Sequence, residues 1–207
     1  MSDSERMEVL LQKANPVMPV LAIDDLRDAI PLAQALAAGG MTVLEVTLRT
    51  PAALDAIREM KQIPGLTIGA GTVMTPRQLE QLQAVNADFA VSPGATDTLL
   101  KAGQDIELPF LPAVGTASEI MRGVEYGYRH FKFFPATVMG GTAALKAFAG
   151  PFPELKFCPT GGVNPQNMDD FLELPNVLCV GGSWLAPKTH IQDQDWPAIT
   201  ALAQQVD

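Results

Sequence analysis

The sequence is poor in the residues that staple or metallate small proteins: 207 residues carry two cysteines and two histidines. Cys158 and Cys179 each sit inside an apolar run and read as buried free thiols, not a disulfide framework, the usual state in a reducing compartment. His130 and His190 are too isolated for a zinc cluster, so neither a metal nor a metal-dependent mechanism is expected. No apolar run approaches the roughly 20 residues that span a bilayer, and the start Met1-Ser2-Asp3-Ser4-Glu5-Arg6 lacks the basic and apolar stretches of a signal peptide. These absences point to the cytoplasm and away from a membrane. Cations are outnumbered, 14 Lys and Arg against 23 Asp and Glu, for a formal charge of −9. That balance argues against nucleic acid as a partner. Neither GxGxxG nor GxxxxGKS/T occurs, so no nucleotide is implied.

What is present fits one globular domain over 1–207. The 47% hydrophobic and 18% charged fractions are ordinary for such proteins, and a chain this long buries roughly 70% of its unfolded surface without staples. Eight short apolar runs, at 16–23, 42–48, 67–73, 89–93, 109–115, 130–135, 156–161 and 177–183, alternate with helical patterns. The helical stretches include 24–38, with Asp24 or Asp25 as cap, 51–61, with Thr50-Pro51 as cap and first turn, and 76–85, opened by Thr75-Pro76. Eight strand–helix units of roughly 25 residues predict a small (β/α)₈ barrel, with a doubly wound open sheet as the alternative. Residues 4–13 add a helix before the first strand.

The second strand breaks the apolar rule. In Val43-Leu44-Glu45-Val46-Thr47-Leu48-Arg49 the period-two alternation puts Glu45, Thr47 and Arg49 on one face and three aliphatics on the other. Helices cover the outside of a parallel barrel, so the polar set must point inward, near the C-terminal mouth where such barrels keep their sites. A solvated edge strand in another fold would show the same alternation.

The sixth strand carries a second anomaly, a lone lysine in His130-Phe131-Lys132-Phe133-Phe134-Pro135. Lysine is rarely buried without a partner or a function. It could instead snorkel to water. Burial among Phe131, Phe133 and Phe134, with Arg49 near, would favour the neutral amine that a Schiff base needs. Glycine-rich strand ends complete the pattern: Gly69-Ala70-Gly71-Thr72, Thr160-Gly161-Gly162 and Gly181-Gly182-Ser183. The last two close strands seven and eight, where barrels bind phosphate through backbone N–H groups.

These residues resemble a known family, the 2-dehydro-3-deoxy-6-phosphogluconate (KDPG) aldolases, also described as 4-hydroxy-2-oxoglutarate aldolases. The resemblance runs in order through Gly40 to Arg49, Gly69 to Val73, Ser92-Pro93-Gly94, Gly127 to Ala136 with Gly140 following, Phe157 to Gly162 and Gly181 to Trp184. It implies a trimeric (β/α)₈ lyase of the Entner–Doudoroff type, with no metal and no cofactor, acting on a small-molecule 2-keto-3-deoxy sugar acid phosphate. By the same resemblance Lys132 forms the imine, Glu45 shuttles protons, and Arg49 with Thr72 holds the pyruvate carboxylate. Thr160, Gly161, Gly162, Gly181, Gly182 and Ser183 line the phosphate end, and Pro93 and Phe134 shape the pocket. Some relatives carry a basic residue at the end of the first strand, where this chain has Ile23-Asp24-Asp25. Three alternatives stay open: a galactonate-type relative, a phosphosugar isomerase or epimerase on the same barrel, and a barrel that binds a phosphorylated metabolite without catalysis.

Overall fold

The computed structural model describes residues 3–206; Met1, Ser2 and Asp207, the ends of the expected domain, lie outside the described residues. Each of the eight apolar runs holds parallel strand: β1 (Val17–Leu21), β2 (Val43–Thr47), β3 (Thr67–Gly71), β4 (Ala90–Val91), the pair β5 (Phe110–Leu111) and β6 (Ala113–Val114), β7 (His130–Phe133), β8 (Lys156–Pro159) and β9 (Val180–Gly182). Pro112 divides the fifth run because proline has no N–H to give the ladder. The strands form a six-stranded sheet, in the order β5-β4-β3-β2-β1-β9, and a three-stranded sheet, β6-β7-β8. Isolated parallel bridges, Phe157 to Val177 and Thr160 to Gly181, run between the eighth and ninth strand segments. The architecture shown is thus a curled, parallel α/β sheet.

The helices are α1 (Asp3–Lys13), α2 (Ala29–Ala38), α3 (Ala53–Met60), α4 (Pro76–Ala84), α5 (Asp97–Asp105), α6 (Ala117–Glu125), α7 (Gly141–Ala149), α8 (Met168–Leu172), α9 (Lys188–Gln192) and α10 (Trp196–Gln204); α1 to α4 fall close to the stretches read from the sequence, whereas α9 has no counterpart among them. Thr75 and Thr116 each close a capping box, with Gln78 and Glu119. Asp25 caps a 3₁₀ turn, Leu26–Asp28, that precedes α2. Thr50 does not cap α3: its hydroxyl donates instead to the Ile23 carbonyl at 2.6 Å, tying the ends of β1 and β2 together. Among the described residues no helix is long and apolar enough to cross a membrane.

Alternation along each strand divides the apolar residues between two cores. Leu44, Val46, Ile68, Ala70, Phe131, Phe133 and Phe157 pack outward against the helices. Met18, Val43, Phe89, Val91, Leu111, Cys158 and Cys179 pack inward, together with Met7, Leu10 and Leu11 of α1 and Ala14 just after it. The first helix therefore seals one end of the interior. Burying a side chain of this kind contributes about 1.5–3 kcal/mol, so the seal rests on α1's apolar stripe and not on its polar ends. The open end faces the C-termini of the strands.

Candidate active site

A cavity of about 280 Å³ lies at that open end. Every residue to which the family resemblance gives a site role lines it except Gly182. A side-chain carbon at Gly182 would meet the Trp184 ring at 2.0 Å, so this glycine serves strand–indole packing. Val20, Thr47 and Val163 complete the wall. The alternation of β2 had already placed Thr47 on the inner face, but the two valines carry no polar signal.

At the floor, Lys132 Nζ stands 3.2 Å from Glu45 Oε1, with side-chain exposures of 7% and 3%. An ammonium and a carboxylate buried this deeply hold each other, because either one left alone would be strongly disfavoured. The pair is reached from β7 and β2, which are not neighbours in a sheet, so the contact crosses the interior. The Phe134 ring lies over the ammonium, 5.4 Å from Nζ to centroid. Phe131 and Phe133 take no part in burying the lysine. Strand alternation turns them outward, where they contact Phe157 and Phe148.

The rim presents hydrogen-bonding groups. Arg49 is exposed just past the end of β2, and its Nε donates to Thr47 Oγ1 at 3.1 Å. Thr47, itself buried, donates onward to the Leu21 carbonyl at 2.8 Å. Thr72 has φ of +61°, which a β-branched residue rarely adopts and which marks a position held by its surroundings. Across the mouth, Gly161 and Gly162 have φ of +96° and +79°, a conformation that suits glycine and turns backbone toward the cavity. Ser183 is exposed beside them and Thr160 is buried. The basic residues near the end of β1 are engaged elsewhere: Arg27 pairs with Asp25 at 2.6 Å and Lys188 with Asp24 at 2.8 Å.

Below the pair, the Cys158 and Cys179 sulfurs are 3.6 Å apart and both are free. The hydrogen bond with Cys158 and then burial push the Cys179 thiol well above its ordinary range, keeping it neutral. His130 lies two residues before Lys132, beside Ser4 and Glu8 of α1. Burial lowers its pKa below the ordinary 6.5.

A parallel α/β protein with a lysine and a carboxylate paired inside its C-terminal mouth has the equipment for chemistry on a carbonyl compound. The chain belongs to the KDPG and KHG aldolase family, whose model matches residues 8–202. It is 53% identical to the 2-dehydro-3-deoxy-phosphogluconate aldolase of Pseudoalteromonas atlantica over 92% of this chain and 89% of that one. It is 50% identical to the KHG/KDPG aldolase of Escherichia coli over 92% of this chain and 90% of that one. Among solved structures, the KDPG aldolase of Legionella pneumophila superposes with a TM-score of 0.93 at 52% identity, covering 95% of this chain and 96% of that one. In that crystal, pyruvate was captured at low pH as a covalent carbinolamine intermediate.

Proposed function

We propose that the chain is a class I aldolase that cleaves KDPG to pyruvate and glyceraldehyde 3-phosphate through a Schiff base on Lys132, and that it also accepts 4-hydroxy-2-oxoglutarate. The observation that carries this reading is the buried Lys132–Glu45 pair, 3.2 Å apart within a substrate-sized cavity of a chain in this family.

The chemistry starts with a proton passing from the Lys132 ammonium to the Glu45 carboxylate, which returns it to the carbinolamine hydroxyl as that group leaves as water. The neutral amine attacks the C2 ketone, and the carbinolamine loses water to give an iminium, an electron sink that a ketone cannot match. Glu45 takes the C4 hydroxyl proton, directly or through one water, as the C3–C4 bond breaks and glyceraldehyde 3-phosphate departs. Glu45 returns its proton to C3 of the enamine left on Lys132, and water releases pyruvate. Arg49, anchored through Nε, offers its terminal nitrogens to the substrate carboxylate alongside Thr72. Backbone donors at Gly161 and Gly162, with Ser183, hold the phosphate, and Pro93, Phe134, Thr160 and Gly181 shape the space between.

The same reading treats 1–207 as one domain. In it the bridges between the eighth and ninth strand segments, together with chain continuity at Pro112, complete an eight-unit barrel. The family resemblance supports a homotrimer that needs no cofactor and works in the cytoplasm.

The test is chemical trapping. Pyruvate with borohydride should inactivate the enzyme and add one reduced pyruvate to the peptide containing Lys132, since an iminium is reduced to a stable amine and a bound ketone leaves no adduct. Lys132→Arg should take no label because a guanidinium forms no imine. An unlabelled protein, or label mapped to Lys101, Lys146 or Lys156, rejects the assignment.

A further inference from the structure

Three glycines line the inner face near the reacting pair, and each leaves room for something different. A side-chain carbon at Gly69 would strike the Phe89 ring at 2.4 Å, and one at Gly181 would strike Thr160 Oγ1 at 2.2 Å. At Gly71 the three nearest atoms all belong to Glu45: Oε1 at 1.9 Å, Cδ at 2.7 Å and Cγ at 2.9 Å. Glu45 is in register with Gly69 on the neighbouring strand, so its side chain runs forward over Gly71 on its way to Lys132. The backbone at Gly71 does not itself demand glycine, because its φ lies outside the left-handed region.

We propose that Gly71 is a positioning residue for the reaction: its missing side chain is the channel through which the Glu45 carboxylate reaches Lys132. This rests on the aldolase reading, in which Glu45 carries protons. A methyl group at 71 needs roughly 3.5 Å from its neighbours, so the carboxylate oxygen at 1.9 Å must move by more than about 1 Å. Glu45 has room to move toward the cavity that it lines. Moving there relieves the clash but separates the carboxylate from the amine. A misplacement of this size costs on the order of 10²-fold in rate.

The experiment compares Gly71→Ala, Glu45→Ala and the double variant in the full-length enzyme. Gly71→Ala should lose about 10²-fold in kcat with little change in KM for KDPG, and deuterium exchange into the pyruvate methyl should slow with it. Borohydride trapping of pyruvate on Lys132 should persist, because the amine is untouched. In the Glu45→Ala enzyme the added alanine has nothing to displace, so the double variant should match Glu45→Ala in residual activity and in melting temperature. The proposal is overturned if Gly71→Ala keeps kcat within about threefold, or if alanine harms the Glu45→Ala enzyme as much as it harms the wild type, the additivity of independent sites. Should Gly71→Ala fail to fold, recovery of folding in the double variant supports the proposal and failure of both rejects it. A wild-type enzyme that pyruvate and borohydride do not label at all rejects the underlying aldolase reading, and the proposal with it.

Discussion

Thr47 Oγ1 accepts a hydrogen bond from Arg49 Nε at 3.1 Å while donating its own proton to the Leu21 carbonyl at 2.8 Å. One hydroxyl thus links the end of β1, the inner face of β2 and the exposed guanidinium at the rim. Thr47→Val keeps the shape and removes both bonds. Losing one net hydrogen bond is worth about 1 kcal/mol, so KM for KDPG and pyruvate should rise roughly fivefold with kcat less affected. Thr47→Ser should restore wild-type KM. A valine variant with unchanged KM would show that the arginine needs no anchor.

His130 makes the stability of the fold depend on pH. Its folded pKa is depressed by burial, with Glu8 opposing and Lys156 adding slightly to the shift, while the unfolded chain keeps the ordinary value of 6.5. Between those two values the unfolded state binds the extra proton, so stability rises with pH through this window. The contribution is fully present above about pH 6.5 and is lost as pH falls toward the folded pKa. The melting temperature should therefore drop on acidification from pH 7, and His130→Gln should flatten that part of the profile. An unchanged slope in the variant would place the titration elsewhere.

The strands were readable because a parallel sheet is covered on both faces, so its strands stand out as apolar runs between Gly and Pro. Glu45 and Lys132 were readable for the converse reason, as charges inside such runs. The surroundings of Lys132 were not. Three phenylalanines in five residues suggest an aromatic cage, but alternation sends Phe131 and Phe133 outward and leaves Phe134 alone beside the amine. Gly182 looks like part of a phosphate loop and instead accommodates Trp184. The role of Gly71 depends on the path of a side chain from another strand, which no local pattern encodes. Thr50 illustrates the same limit, as its hydroxyl finds the Ile23 carbonyl rather than the helix start beside it.

The proposed phosphate end offers its own test. Backbone donors can reach a phosphate only if Gly161 keeps its left-handed conformation, φ +96°, with Pro135 and Phe134 already 3.2–3.3 Å from where a side chain would begin. Gly161→Val and Ser183→Ala should therefore lower kcat/KM on phosphorylated substrate more than on an unphosphorylated analogue. Each charge-assisted hydrogen bond lost should cost about 1.5–3 kcal/mol on the phosphorylated substrate alone. Equal losses on both substrates would remove the phosphate from this end of the pocket.

The buried Lys132–Glu45 pair also predicts a separation of stability from activity. Lys132→Met removes the ammonium but keeps much of its length, leaving the Glu45 carboxylate, 3% exposed, without its cation. Breaking one side of a buried pair costs about 3–5 kcal/mol, chiefly because the surviving charge remains desolvated. Urea denaturation of Lys132→Met should show a loss of that order. Lys132→Met with Glu45→Gln removes both charges, and replacing a buried pair by uncharged groups of similar volume is often neutral or stabilising. The double variant should recover most of the lost stability, while both variants remain inactive and take no pyruvate label. A single variant as stable as the wild type would mean that Glu45 is not held as a buried carboxylate. Recovery in the double variant without recovery of activity would show that the charges are kept for catalysis at no benefit to the fold, since the fold is then as stable without them.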